Sequence, residues 1–303
     1  LEHRTWNSIK GGERMEIGFI GAGKVGTAFG TYLFKKGFKI AGYYSRTLKS
    51  AERAAGMTNS SAYENIEDLS KNSEIIFITT SDDEISKVCE DLVRKNALKK
   101  SQILVHMSGA SSSNILKRAK AKGCFIYSLH PLQSFADISK AIDDLENTVF
   151  SIEGDEERIK TIEDILKATG NKYFKLSSEQ KSIYHAAACV ISNYLVTLMD
   201  YGLSLFEVIG IDKEEGYRAL YPLIEGTTKN IYSLGTEKAL TGPIARGDTG
   251  TIKKHLNSLK SVAPDKMDFY SIMGMMTVNL ASKNKLKNME KIKNLQNILK
   301  EVL

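Results

Sequence analysis

A chain of 303 residues, 42% hydrophobic and 26% charged with 4 Pro and 23 Gly, holds core enough for one large or two ordinary domains and is neither disordered, collagenous nor a mini-protein. Its net charge of +6 comes from lysines spread along the chain, densest over 283–300 where they read as a solvated helix face, so nucleic acid is not an expected partner. Cys89, Cys124 and Cys189 stand far apart with no Cys-x-x-Cys pair; they read as reduced thiols of a cytoplasmic protein, and no metal site is expected.

Residues 1–14 carry no apolar signal-peptide core. Lys10-Gly11-Gly12-Glu13-Arg14 back-translates into a purine-rich stretch resembling a bacterial ribosome-binding site, so Met15 is expected to be the natural start and 1–14 an upstream extension. From Met15, short apolar runs alternate with helical ones. A strand is expected over 16–20, then a Gly-rich turn, a helix to 34, a strand over 38–44 and a helix near 50–55. A short strand or loop at 57–60 precedes a β-branched and aromatic run at 74–79, the signature of a buried parallel strand. Helices at 85–93 and 115–121 alternate with strands at 103–106 and 124–129, and a strand–helix–strand unit occupies 148–152, 156–169 and 173–176.

This alternation predicts an α/β fold: a Rossmann-like, doubly wound, mostly parallel sheet over 15–177. After 177 the strand signal ends. One long helical stretch covers 179–208, and helices broken at Gly210, Pro222, Gly242-Pro243 and Pro264 complete an all-helical second domain, 178–303. No apolar run approaches the roughly 20 residues of a membrane span, so a soluble protein with no membrane partner is expected.

Gly21-Ala22-Gly23-Lys24-Val25-Gly26 follows a strand and opens a helix. The first glycine suits a tight turn, the second the approach of a pyrophosphate, and the third close helix–strand packing. At the end of the second strand stand Ser45 and Arg46, followed by Thr47 and Lys49, where an NAD site usually has an acid. A hydroxyl and a guanidinium suit a 2′-phosphate, so NADP is the expected cofactor. Ligands of such sheets bind beyond the carboxyl ends of the strands. Thr80-Ser81 is therefore expected to touch cofactor, and Ser108 and His130 are catalytic candidates; capping of the next helix is the alternative for such Ser and Asp residues. In the helical half, His185, Cys189 and Asn193 recur every four residues and share one face. That stripe either hydrogen-bonds inside the core or faces the cleft. The segment 241–248 holds Thr241, Gly242-Pro243, Arg246 and Asp248, with Asp248 a plausible N-cap and Arg246 a fork suited to a substrate carboxylate.

His130-Pro131-Leu132 resembles the His-Pro-Met turn of prephenate dehydrogenases, whose histidine and an upstream serine meet the reacting hydroxyl or keto group; His130 and Ser108 stand at those places. In β-hydroxyacid dehydrogenases and ketopantoate reductases, the first helix of the second domain carries Lys and, four residues on, Asn. Asn193 matches that asparagine, Cys189 stands at the lysine position, and His185 is the nearest replacement for the proton donor. Taken with Thr241-Gly242-Pro243 and Arg246-Gly247-Asp248, residues 15–303 resemble a bacterial family of NADP oxidoreductases that join a Rossmann-like domain to a helical domain of unknown function. The resemblance implies hydride transfer and a homodimer through the helical domain. The expected reaction is reduction of a small 2-oxo acid of the ketopantoate kind. His130 or His185 would supply the proton, Asn193 would orient the carbonyl, and Arg246, with Asp248 and Thr241, would hold the carboxylate. The alternatives are a cyclic imine reductase of the pyrroline-5-carboxylate type and a non-catalytic NADP-binding regulatory protein.

Overall fold

The computed structural model describes residues 15–301 and Leu303, so the expected upstream extension lies outside the described residues. In chain order the first part runs β1 (Glu16–Ile20), α1 (Lys24–Lys35), β2 (Lys39–Tyr44), α2 (Leu48–Thr58), β3 (Ser61–Tyr63), α3 (Ile66–Lys71), β4 (Ile75–Ile78) and α4 (Asp82–Arg94). It continues through β5 (Ile103–His106), a 3₁₀ turn leading into α5 (Lys117–Lys120), β6 (Phe125–Pro131), α6 (Ile138–Asp144), β7 (Phe150–Gly154), α7 (Ile159–Thr169) and β8 (Tyr173–Lys175). The eight strands form one sheet in the order β3-β2-β1-β4-β5-β6-β7-β8. All neighbours are parallel except β6 and β7. The expected Rossmann-like, mostly parallel sheet is present.

Period-two alternation distributes the strand side chains between two layers. Ile75 and Phe77 of β4 join the cluster under α1, α2, α6 and α7, whereas Ile76 and Ile78 join the one under α3, α4 and α5. In the first layer the Phe19 ring stacks on Tyr43 and Phe77 at 5.1 and 5.3 Å, anchoring β1 between β2 and β4. The strand or loop expected at 57–60 is instead the end of α2: Asn59 takes the left-handed conformation at its C-cap, and β3 starts only at Ser61.

The remaining helices are α8 (Gln180–Val208), α9 (Lys213–Leu234), α10 (Thr236–Ala239), α11 (Pro243–Arg246), α12 (Thr249–Val262), α13 (Met267–Asn284) and α14 (Met289–Lys300). The chain divides into two compact units after Tyr194, inside α8, rather than at the sheet's end at 177. The first turns of α8 bond to the sheet through Lys181 and Tyr184, which places them in the first unit. α8 is long and apolar enough, by length and composition alone, to cross a membrane, with polar residues interrupting every apolar run in it. Pro222 does not end a helix as expected. It lies within α9, where the hydrogen bonds on either side carry the helix past the one it lacks. In the second unit a core of Ile244, Ile252, Leu256, Val278, Leu295 and Leu299 joins α11 to α14.

Candidate functional site

The glycine turn after β1 has the geometry its three glycines imply. Gly21 sits at φ +109°, and a Cβ there would lie 2.8 Å from the Thr79 carbonyl. On Gly26 a Cβ would meet the Gly21 carbonyl oxygen and the Thr79 hydroxyl, so α1 packs directly on the turn. A Cβ on Gly23 would meet no atom of the described residues within 4 Å. Gly23 is also the N-cap of α1 and has no side chain to satisfy the first N–H groups, which leaves donors for an anion. Beside the turn, the buried Thr80 hydroxyl has no hydrogen-bond partner among the described residues. This cradle fits a dinucleotide pyrophosphate.

Around the cradle, Ala22 is buried, Val25 packs on the core and Lys24 donates to the Ala136 carbonyl at 2.6 Å. The Gly21 N–H donates to the Tyr44 carbonyl at 2.8 Å and so ties the turn to the end of β2. Ser45 follows, half-buried, and then Arg46, exposed. Arg46 makes no ion pair among the described residues. Ser81 is the N-cap of α4, its hydroxyl unused in capping.

A polar row crosses the sheet farther along. His106 of β5 is in register with Ser128 of β6, and Ser128 with Glu153 of β7; all three are buried. The Ser108 hydroxyl donates to Asp82 at 2.8 Å and accepts the N–H groups of Ala110 and Ser111. Ser108 therefore organises the turn after β5, and its hydroxyl is committed there.

His130 was expected in a turn beyond a strand ending at 129, but β6 continues to Pro131. The antiparallel partner β7 supplies the pairing, with Ser151 opposite His130. His130 Nδ1 lies 2.7 Å from the Tyr184 hydroxyl, and the His130 and His185 rings meet edge to face at 6.0 Å. Both imidazoles close on Gly109, where a Cβ would fall 2.5 Å from His185 Nδ1 and 2.8 Å from His130 Nε2. Burial, reinforced by the Lys181 charge, pushes His130 down to about 3, so its ring is neutral at neutral pH. This removes the ground for expecting an imidazolium proton donor at His130. Burial also raises the Tyr184 hydroxyl above the ordinary tyrosine value.

These side chains open on a cavity of about 550 Å³ lined by His130, Leu132, Gln133, Phe174, Tyr184, His185, Cys189, Ile191 and Asn193, among others. The stripe of His185, Cys189 and Asn193 thus faces one cavity, with Cys189 Sγ 3.5 Å from His185 Nε2. Among the described residues, no Lys, Arg, Asp or Glu lines it. Tyr184, Gly109 and Lys181 were not singled out in the sequence. The available signal was the spacing of Lys181, four residues before His185, which extends the stripe by one turn.

Thr241, Arg246 and Asp248 belong to the second unit and are not among the residues lining that cavity. Asp248 caps α12, accepting from the Thr251 N–H at 3.0 Å and the Thr251 hydroxyl at 2.7 Å. The Thr251 bonds hold its carboxyl below the usual range. Gly242 and Gly247 both have positive φ, and Pro243 opens α11. The residues of this motif thus build a turn and a helix cap. Arg246 and Thr241 are exposed.

A model of a Rossmann-like domain matches residues 3–131, and one of a domain of unknown function, DUF2520, matches 148–277. The second match begins ahead of β7, where the sheet reverses direction. No curated protein matches the chain. Among solved structures, a Bacteroides fragilis protein described provisionally as an NADP oxidoreductase is 22% identical with a TM-score of 0.72, covering 88% of this chain and 98% of its own. A Thermotoga maritima protein with no stated activity is 27% identical at TM-score 0.64, covering 94% and 98%. A pyrroline-5-carboxylate reductase from Coxiella burnetii is 15% identical at TM-score 0.58, covering 96% and 99%. Along nearly its whole length, the chain carries the fold of these oxidoreductase-type structures: a Rossmann-like sheet followed by an all-helical region.

Proposed function

We propose that the chain is an NADP-dependent reductase whose substrate is a small imine, in preference to the 2-oxo acid expected from the sequence. The observation that carries this reading is the cavity around His130 and Tyr184, whose lining among the described residues holds no Lys or Arg to receive a carboxylate. A 2-oxo acid would bring a carboxylate there with no cation to receive it, at a desolvation cost. Likeness in fold to an imine reductase from Pseudomonas supports C=N chemistry.

When bound at the glycine turn, NADPH supplies the hydride. Gly21, Gly23 and Gly26 admit its pyrophosphate, and Ser45 and Arg46 offer a hydroxyl and a guanidinium to a 2′-phosphate. Thr80 and Ser81 border the same crevice. On the substrate side, the Tyr184 hydroxyl oxygen, held by its bond to neutral His130, accepts from the iminium N–H, and Asn193 and His185 complete the wall. An alkoxide formed from a ketone needs a proton, which neutral His130 and a tyrosine of raised pKa release poorly. An iminium protonated in solution pays a similar desolvation cost on entry, but it already carries its proton, so hydride addition gives the neutral amine with no donor needed from the wall.

The expected homodimer through the helical region remains part of this reading. Its support is the apolar surface of the second unit, with Leu223 66% and Tyr232 93% exposed in the single chain. The deciding assay is oxidation of NADPH with a panel of carboxylate-free cyclic imines, pyrroline carboxylates and 2-oxo acids. Turnover only of 2-oxo acids would overturn the imine assignment, and turnover of none would favour a regulatory NADP-binding protein.

A further inference from the structure

Lys181, in the first turn of α8, has 1% of its surface exposed, and no step above uses it. Its Nζ donates to the Ser108 carbonyl at 3.1 Å and to the Ser128 hydroxyl at 2.8 Å, and lies 5.7 Å from the centre of the Tyr184 ring. The Ser128 hydroxyl also donates to the Ser108 carbonyl, at 3.2 Å. One buried cation therefore joins β6 to the turn after β5. On that turn Gly109 meets His130 and His185 so closely that a Cβ has no room.

We propose, on the reading of the site given above, that Lys181 is a positioning residue for the reduction. Through Ser108 and Ser128 it sets the Gly109 turn against His130 and His185, and it places a fixed positive charge beneath them. The titratable and charged groups around it are Asp82 from α4, His106 from β5, His130 from β6, Glu153 from β7, and Tyr184 and His185 from its own helix. Glu153 is held by Ser113 and Ser178 and acts on Lys181 through space. Burial lowers the Lys181 ammonium to about 8, with Glu153 and then Asp82 opposing, so the charge is largely retained at neutral pH. After burial itself, that charge is the next cause of the low His130 value.

The test is a pH titration of the His130 ring by NMR in full-length wild type, Lys181→Met and Lys181→Arg, with NADPH affinity and melting temperature measured alongside. In Lys181→Met the His130 protonation constant should rise about threefold or more, as expected when a nearby like charge is removed. NADPH affinity should stay within about twofold, because the glycine turn is untouched, and Lys181→Arg should return the titration to wild type. A lysine that only fills space would lower the melting temperature and leave the His130 titration in place, which would overturn the proposal. If Lys181→Met does not fold, wild type decides: the His130 resonances should shift a second time between about pH 7 and 9 as Lys181 loses its proton. Absence of that second shift would overturn the proposal as well. These titrations need no substrate, so their outcome is separable from failure of every imine in the turnover panel.

Discussion

The Tyr184 hydroxyl and His130 Nδ1 meet at 2.7 Å, with the two rings edge to face at 5.6 Å. With the hydroxyl donating, Nδ1 is the bare nitrogen and Nε2 carries the ring proton toward Gly109. Tyr184→Phe keeps the ring and releases that constraint. Turnover of an imine should fall about tenfold or more, the scale of one lost hydrogen bond of about 1.5 kcal/mol. NADPH affinity should hold. Steady-state kinetics with an independent NADPH titration reads both, and a variant of unchanged kcat would remove Tyr184 from the site.

Arg46 is exposed just past β2. Charge-assisted hydrogen bonds to a 2′-phosphate contribute roughly 1.5–3 kcal/mol, or about tenfold to more than a hundredfold in affinity. Arg46→Ala should weaken NADP binding by that order and leave NAD almost unchanged. Calorimetry on both cofactors checks this, and equal losses would show a structural role.

For Arg246→Lys, the imine reading expects turnover of a carboxylate-free imine within about twofold of wild type, because the planar fork has no carboxylate to grip. A loss of about 10–100-fold at unchanged melting temperature, equivalent to about 1.4–2.7 kcal/mol of transition-state binding, would bring the carboxylate back. Kinetics and thermal melting on this one variant distinguish the two.

His106 is fully buried at the end of β5, and burial lowers it from 6.5 to about 4. Since the folded value lies below the unfolded one, acid protonates the unfolded chain first. The contribution of His106 to stability is intact above about pH 6.5 and is lost as the pH falls through 4, at most about 3.5 kcal/mol by linkage. His130, held at about 3, acts in the same direction. Urea midpoints should therefore fall steadily from pH 7 to 4.5, and His106→Asn should flatten the slope.

Leu223 lies on α9 and is largely exposed in the single chain. Leu223→Glu should cost an isolated chain almost nothing, since surface substitutions usually stay within about 0.5 kcal/mol. A homodimer built on that surface should dissociate. Light scattering across a concentration series decides, and a wild-type protein that stays monomeric at high concentration would end the dimer reading.

Local signals carried most of the fold. The β-branched run at β4, the glycine turn and the strand–helix alternation each depend on residues close in sequence. The misread places depend on distant partners. β6 reaches Pro131 because β7 pairs with it, and nothing within 124–131 announces that strand. Lys181 was passed over because a lysine reads as solvated until Ser108 and Ser128 are known to surround it. In the 241–248 motif the cap was legible: Asp248 caps α12 as its place in the sequence implies, and Gly242 and Gly247 take positive φ on either side of α11.

The reversal at β7 has a consequence for how such a chain can diversify. Because β7 runs against β6, the connection leaving β6 turns back at the rim of the sheet, and Leu132, Gln133 and Ser134 form part of the cavity wall there. They belong to none of the strands that carry the glycine turn. Exchanging these three side chains reshapes one wall and leaves the β1–α1 crevice as it is. Descendants of this fold can change what they accept in one segment while inheriting the nucleotide crevice intact.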